Sequence, residues 1–80
     1  MKQRLRRLGQ LLLGERAVIV SVNTLEEPAL GLRLMQMGFV KGTEVELARQ
    51  APLTSDPIAV RLRGSLVALR RAEANLVEVE

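Results

Sequence analysis

Eighty residues allow one domain, and a chain of this size buries roughly 60 % of the surface that its unfolded form exposes, so the core is small. The absence of Cys removes disulfides and thiolate metal sites, and the absence of His removes the usual general base and the commonest metal ligand. The formal charge of +3 is uneven: residues 1–16 carry Lys2, Arg4, Arg6, Arg7 and Arg16 against Glu15 alone, whereas residues 17–80 hold seven cations and eight anions.

Residues 1–7 read as a flexible basic lead-in, followed by a domain over 8–80. The apolar stretch of the opening is broken by Gly9, Gln10 and Gly14, so it fits neither a secretory signal nor a membrane span, which needs about 20 apolar residues. A cytoplasmic protein is expected. Leu8 and Leu11 can pack from a short turn before Gly14 redirects the chain. RAVIVSV (16–22) is β-branched and bounded by Gly14 and Asn23, a strand with Val18, Val20 and Val22 on one face and Ala17, Ile19 and Ser21 on the other. Both faces are apolar enough to be covered.

The period then changes. Pro28 suits the first position of a helix, and Glu26 and Glu27 suit the positive end of its dipole. Leu30, Leu34 and Met37 form one apolar stripe, which predicts a helix near 28–37 with Met37 in the core. Gly38 supplies the left-handed stop, with Phe39, the sole aromatic residue, folding back on Leu34. Gly31 reads as a weakness of about 1 kcal/mol relative to Ala.

After Gly42 the alternation returns in TEVELAR (43–49), with Val45 and Leu47 inward. It recurs in PIAVRLR (57–63), with Ile58, Val60 and Leu62 inward. Arg63-Gly64-Ser65 predicts a tight turn, or a bulge at the Gly, before strand 66–70. Ala72–Asn75 reads as one helical turn, and Val77 and Val79 alternate with Glu78 and Glu80 in a closing strand. Five short strands and one helix predict a mainly β fold, a small SH3-like β-barrel with an inserted helix; an OB-type barrel is the nearest competitor.

Three stretches resemble the ferrous iron transport protein A (FeoA) family. RLMQMGFVKGTEVEL matches its Leu-rich helix, glycine stop and Val-rich strand through Leu34, Met37, Gly38, Gly42, Val45 and Leu47. APLTSDPIAVRLRG matches its Ala-Pro, Asp-Pro and hairpin segment through Ala51, Pro52, Asp56, Pro57, Ile58, Val60 and Gly64. VALRRAEANLVEVE is similar to its ending through Leu69, Arg70, Glu73, Ala74 and Val79. The resemblance implies an SH3-like fold, association with the bacterial ferrous iron permease FeoB on its cytoplasmic side, and a family label of transition metal ion binding. It also extends to the C-terminal module of iron-dependent repressors.

The residues themselves argue against catalysis. The hydroxyls lack an imidazole, Asp56 is the only Asp, and neither Lys2 nor Lys41 sits in an apolar run. Glu26–Glu27 and Glu44/Glu46 do not make a dense ligand cluster, so no cofactor, metal or small-molecule substrate is expected. Gly38, Gly42, Pro52, Asp56, Pro57 and Gly64 read as turn residues, Asp56 through an Asx turn. For partner binding the candidates are Leu32, which faces away from the stripe, with Met35 and Gln36 beside it, and the outward cations Arg61, Arg63 and Arg70. Arg61, Arg63, Arg70 and Arg71 lie close enough in the predicted fold for some to cluster, and Glu44, Glu46 and Glu78 are their local partners. Self-association is compatible with this surface. The alternative is a nucleic-acid-binding or regulatory small barrel using residues 2–16, although such barrels ordinarily stack bases on aromatic side chains, and here there is one Phe.

Overall fold

The computed structural model describes residues 5–80. Strands β1 (Arg6–Arg7), β2 (Arg16–Val22), β3 (Glu44–Gln50), β4 (Ile58–Leu62), β5 (Ser65–Leu69) and β6 (Val77–Val79) form one sheet in the order β1-β6-β2-β3-β4-β5, every pairing antiparallel. Helix α1 (Pro28–Gln36) lies between β2 and β3, and the single turn α2 (Arg71–Ala74) between β5 and β6. A 3₁₀ turn, Leu8–Gln10, follows β1 and buries Leu8 and Leu11.

Alternation does most of the building. Val45 and Leu47 of β3, with Ile58, Val60 and Leu62 of β4, fill the core; Ala17 and Ile19 of β2 join them, with Val77 and Val79 of β6. The opposite face of β2 is half-covered rather than solvated. β2 serves both halves of the sheet: Arg16 to Val18 pair with β3, and Ile19 to Val22 pair with β6 across a register shift at Val20. An irregularity of this kind bends and twists the strand locally, which coils a six-stranded sheet around one apolar interior.

Two expectations at the N-terminal end change. Arg6 and Arg7, read as lead-in, are a strand paired with Val79 and Glu78 of β6, which raises the strand count from five to six. Their pairing is set by residues more than 70 positions away, and two adjacent arginines carry no alternation to announce it. Lys2 and Arg4 lie outside the described residues.

Helix α1 ends as its sequence predicts. Gly38 (φ +111°) donates its backbone N–H to the Met35 carbonyl at 3.0 Å, and Phe39 donates to the Leu34 carbonyl at 3.1 Å. These are the two bonds of a Schellman stop. Phe39 is thereby returned to the core at 0 % exposure. Met37 is displaced by the same turn. It caps the helix at 41 % exposure instead of filling the core, because the chain folds back one residue later and Phe39 takes the space.

Candidate docking surface

Which face of α1 remains available depends on how its other face is consumed. Leu34 is buried, Leu30 packs on the core, and Gly31 lies against the chain leaving β2. A Cβ on Gly31 would lie 2.6 Å from the Asn23 carbonyl oxygen and 3.2 Å from Thr24. Gly31 is therefore a point of close approach, not the simple helix weakness that its propensity suggests. That approach is held by Asn23, whose Oδ1 accepts the backbone N–H groups of Leu25 (2.8 Å) and Glu26 (3.2 Å). With the inner face spent, Leu32 (54 % exposed), Met35 (41 %) and Gln36 project outward together, as the sequence predicts.

The arginines do not form one cluster. Arg61, on the outer face of β4, meets Glu46 of β3 at 3.4 Å, directly across the strand pair. Arg63 sits in the two-residue β4–β5 turn with φ +51°, followed by Gly64 at φ +80°. Positive φ at both positions is the type I′ signature, matched to the twist of a hairpin. The Arg63 Nη2 reaches Thr43 Oγ1 at 3.4 Å, and Arg61 and Arg63 line one shallow groove with Arg16 and Glu44. Arg70 stands at the other end of β5, on the order of 20 Å away at about 3.3 Å per residue.

Arg71 turns inward. Its Nε donates to the Ser55 carbonyl (2.7 Å), its Nη1 to the carbonyls of Gly9 (2.9 Å) and Leu11 (3.1 Å), and its Nη2 to Gln50 Oε1 (2.9 Å). One guanidinium thus ties the loop after β3, the 3₁₀ turn and α2 together, using the rigid fork that Arg provides and Lys lacks. Beside it, Gly9 lets α2 approach: a Cβ there would fall 2.2 Å from Asn75 Oδ1, which is buried without a hydrogen-bond partner. No local pattern marks either role.

The turn residues divide similarly. Gly38, Gly42 and Gly64 all have positive φ. Pro52 and Pro57 frame a loop closed at its base by the Ala51 N–H donating to the Pro57 carbonyl at 3.0 Å. Asp56 closes no Asx turn. Thr54 makes the local bond, its Oγ1 donating to the Asp56 carbonyl at 2.6 Å, while the Asp56 carboxylate accepts the Arg71 backbone N–H at 3.1 Å, at the start of α2.

Within residues 6–15, Glu15 pairs with Arg6 at 2.6 Å and accepts the Leu12 backbone N–H at 2.7 Å. The Arg6 hydrogen bond, then the Leu12 N–H, hold its carboxyl below the ordinary value of 4.5. One cation of the basic arm is thereby engaged internally. Among the described residues there is no group of three or more acidic, His or Cys side chains arranged to hold a metal ion, and no helix long and apolar enough to cross a membrane. The larger groove, about 440 Å³ between the β2–α1 loop and α2, contains none of the six partner-binding candidates.

Fold and surface define a small SH3-like β domain whose exposed features include apolar helix residues, loop leucines such as Leu25 and Leu53, and scattered cations. Residues 6–80 match the FeoA domain model, and the chain belongs to the FeoA domain family, associated with ferrous iron transport. It is 39 % identical over 74 residues to the Fe(2+) transport protein A/Fe(2+) transporter FeoB fusion protein of Porphyromonas gingivalis; the match takes in 92 % of this chain and 8 % of that much longer protein. Its structure is similar to that of Stenotrophomonas maltophilia FeoA, an SH3-domain protein crystallised with zinc (TM-score 0.84, 37 % identity, 94 % of this chain and 89 % of that one). It is also similar to FeoA of Chlorobium tepidum (TM-score 0.81, 41 % identity, 94 % and 69 %).

Proposed function

We propose that the chain is a non-enzymatic adaptor of bacterial ferrous iron uptake that docks onto the cytoplasmic part of a FeoB-type permease and supports its assembly or GTPase-gated transport. The observation that carries this reading is the relative from Porphyromonas gingivalis, in which a segment 39 % identical to this chain is part of one polypeptide with the transporter. Joining two modules in one chain replaces a bimolecular encounter by a high effective concentration, an arrangement useful only to partners that work together. The chemistry agrees. Without His or Cys the domain is poorly equipped for turnover, and its outward Leu32, Met35 and Gln36 are residues of contact; Met in particular adapts to a partner's shape.

The test is co-purification of the full chain with the detergent-solubilised FeoB-type transporter of the same genome, paired with ferrous iron uptake in cells lacking the chain. Stable association and restored uptake are expected, both reduced by Leu32→Glu. Failure to associate at micromolar concentrations, with uptake unaffected by the chain, would refute the adaptor reading. Full association and uptake by Leu32→Glu together with Arg63→Asp would move the docking surface elsewhere.

A further inference from the structure

Strand β5 ends the hydrogen-bonded order of the sheet, paired with β4 and with no other strand among the described residues. Its register fixes which backbone groups face outward. Leu62 and Ser65 flank the two-residue turn and bond to each other, so Val60–Val67 and Ile58–Leu69 are the further bonded pairs. The N–H and C=O groups of Leu66 and Ala68 therefore point away from β4, and no turn, loop or cap bond among the described residues engages them. Edge strands are ordinarily blunted by a charge, a proline or a bulge. β5 reads SLVAL, and its pairing with β4 runs without a register shift. Leu66 is 44 % exposed, and Ala68 is exposed beside it.

Charge selects the occupant. Arg63, in the turn before β5, and Arg70, just after it, stand at the two ends of this strand seven positions apart. Both are exposed and neither is within ion-pair distance of a carboxylate among the described residues. The Arg63 guanidinium rests toward β3 on nothing firmer than the Thr43 hydroxyl at 3.4 Å, from which it is free to swing to the edge. A second copy paired antiparallel about Val67 would set Arg70 opposite Gly64, next to the Arg63 of the other copy, cation near cation at both ends. An extended segment with apolar residues in its middle and a carboxylate at each end meets the same edge with opposite charge and supplies the four missing backbone partners. We propose that β5 is a strand-addition site for such an acidic-flanked, apolar-centred segment of a partner protein. This names a mode of recognition for the adaptor reading and rests on it only in treating the chain as a docking module.

The experiment titrates the ¹⁵N-labelled full chain with a capped octapeptide bearing Glu at both ends and alternating Thr and Val between, and with the same peptide bearing Lys at both ends. The Glu peptide is expected to move the Leu66 and Ala68 amides downfield and slow their exchange with solvent, binding about tenfold more tightly than the Lys peptide. The double variant Arg63→Asp with Arg70→Asp reverses the charge in positions that tolerate Asp, since Asp-Gly suits the turn and Asp suits the N-cap of α2. Its unchanged spectrum away from β5 checks folding, and its preference should invert toward the Lys peptide.

Saturation without change at Leu66 and Ala68, an uninverted preference, or concentration-dependent dimers that protect these amides without peptide would each overturn the proposal. If the chain associates with the transporter while both amides keep exchanging freely, the edge is refuted and the adaptor reading stands. If the Glu peptide binds β5 but the transporter does not associate, the edge stands and the partner is a different protein.

Discussion

Replacing Gly31 by alanine sets helix propensity against tertiary contact at one atom. In an exposed helix the change stabilises by about 1 kcal/mol. Here the added methyl would lie 2.6 Å from the Asn23 carbonyl oxygen and 3.2 Å from Cα and Cγ2 of Thr24, so α1 or the β2–α1 segment must retreat. The obstructing atom is backbone, and Asn23 is fixed on both sides: its N–H donates to the Leu76 carbonyl at 2.7 Å and its side chain holds the following turn. Overpacking costs about 1–3 kcal/mol, and a doubly tethered carbonyl belongs in the upper half of that range. Subtracting the propensity gain leaves a net loss of about 1–2 kcal/mol, or roughly 5–15 °C in Tm for a domain of this size. Thermal and urea unfolding followed by circular dichroism measure it, with an unchanged denaturant slope expected. A Tm equal to or above that of the parent would show that the approach of α1 to Asn23 is not tight, and the reasoning would fail.

Arg71→Lys keeps the charge and loses the fork that serves four acceptors; a loss of about 2–3 kcal/mol in urea unfolding is expected, with amides of residues 8–11 and 51–56 exchanging faster. Arg63→Asn places Asn-Gly in a type I′ turn that now holds Arg at φ +51°, and should raise stability by about 0.5–1 kcal/mol, read as a higher urea midpoint. The Glu15 carboxyl is held low in the folded chain, so its contribution is complete above its unfolded value and lost as pH falls through the lower folded value. Glu15→Gln should therefore lower the Tm at neutral pH and flatten its decline below about pH 4.5, in scans from pH 7 to 3.

What the sequence made legible was the part of the fold written in short-range patterns. Period-two alternation marked β2, β3, β4 and β6, and the Gly38–Phe39 stop was readable because all its bonds fall within five residues. Met37 failed because a stripe at helical spacing does not reveal that the helix ends one residue earlier. Gly9 and Arg71 failed because each meets a partner remote in sequence, 62 positions away for the bond between them, whereas Gly31 meets Asn23 and Thr24 just before its own helix, across a turn whose path no local propensity rule encodes. Arg70 and Arg71 make the point most directly. They are adjacent and chemically identical, yet one is exposed and the other sits among backbone carbonyls, a difference set by where the loop after β3 passes. On the candidate surface, the outward placement of Leu32, Met35 and Gln36 followed from helical geometry, whereas the separation of Arg63 from Arg70 depended on the hairpin register.

The division among arginines also decides which substitutions can inform on function. Reversing Arg61 breaks its pair with Glu46, and reversing Arg71 strands four acceptors, so any loss of partner binding would be mixed with a loss of fold. At Arg63 and Arg70 the backbone itself favours Asp, in the turn and at the helix cap. A variant reversed at both should be as stable as the parent or more so, which makes stability an internal control for binding. If that variant unfolds earlier than the parent, the assignment of these two cations to the surface rather than to the fold is wrong, and the charge argument for β5 falls with it.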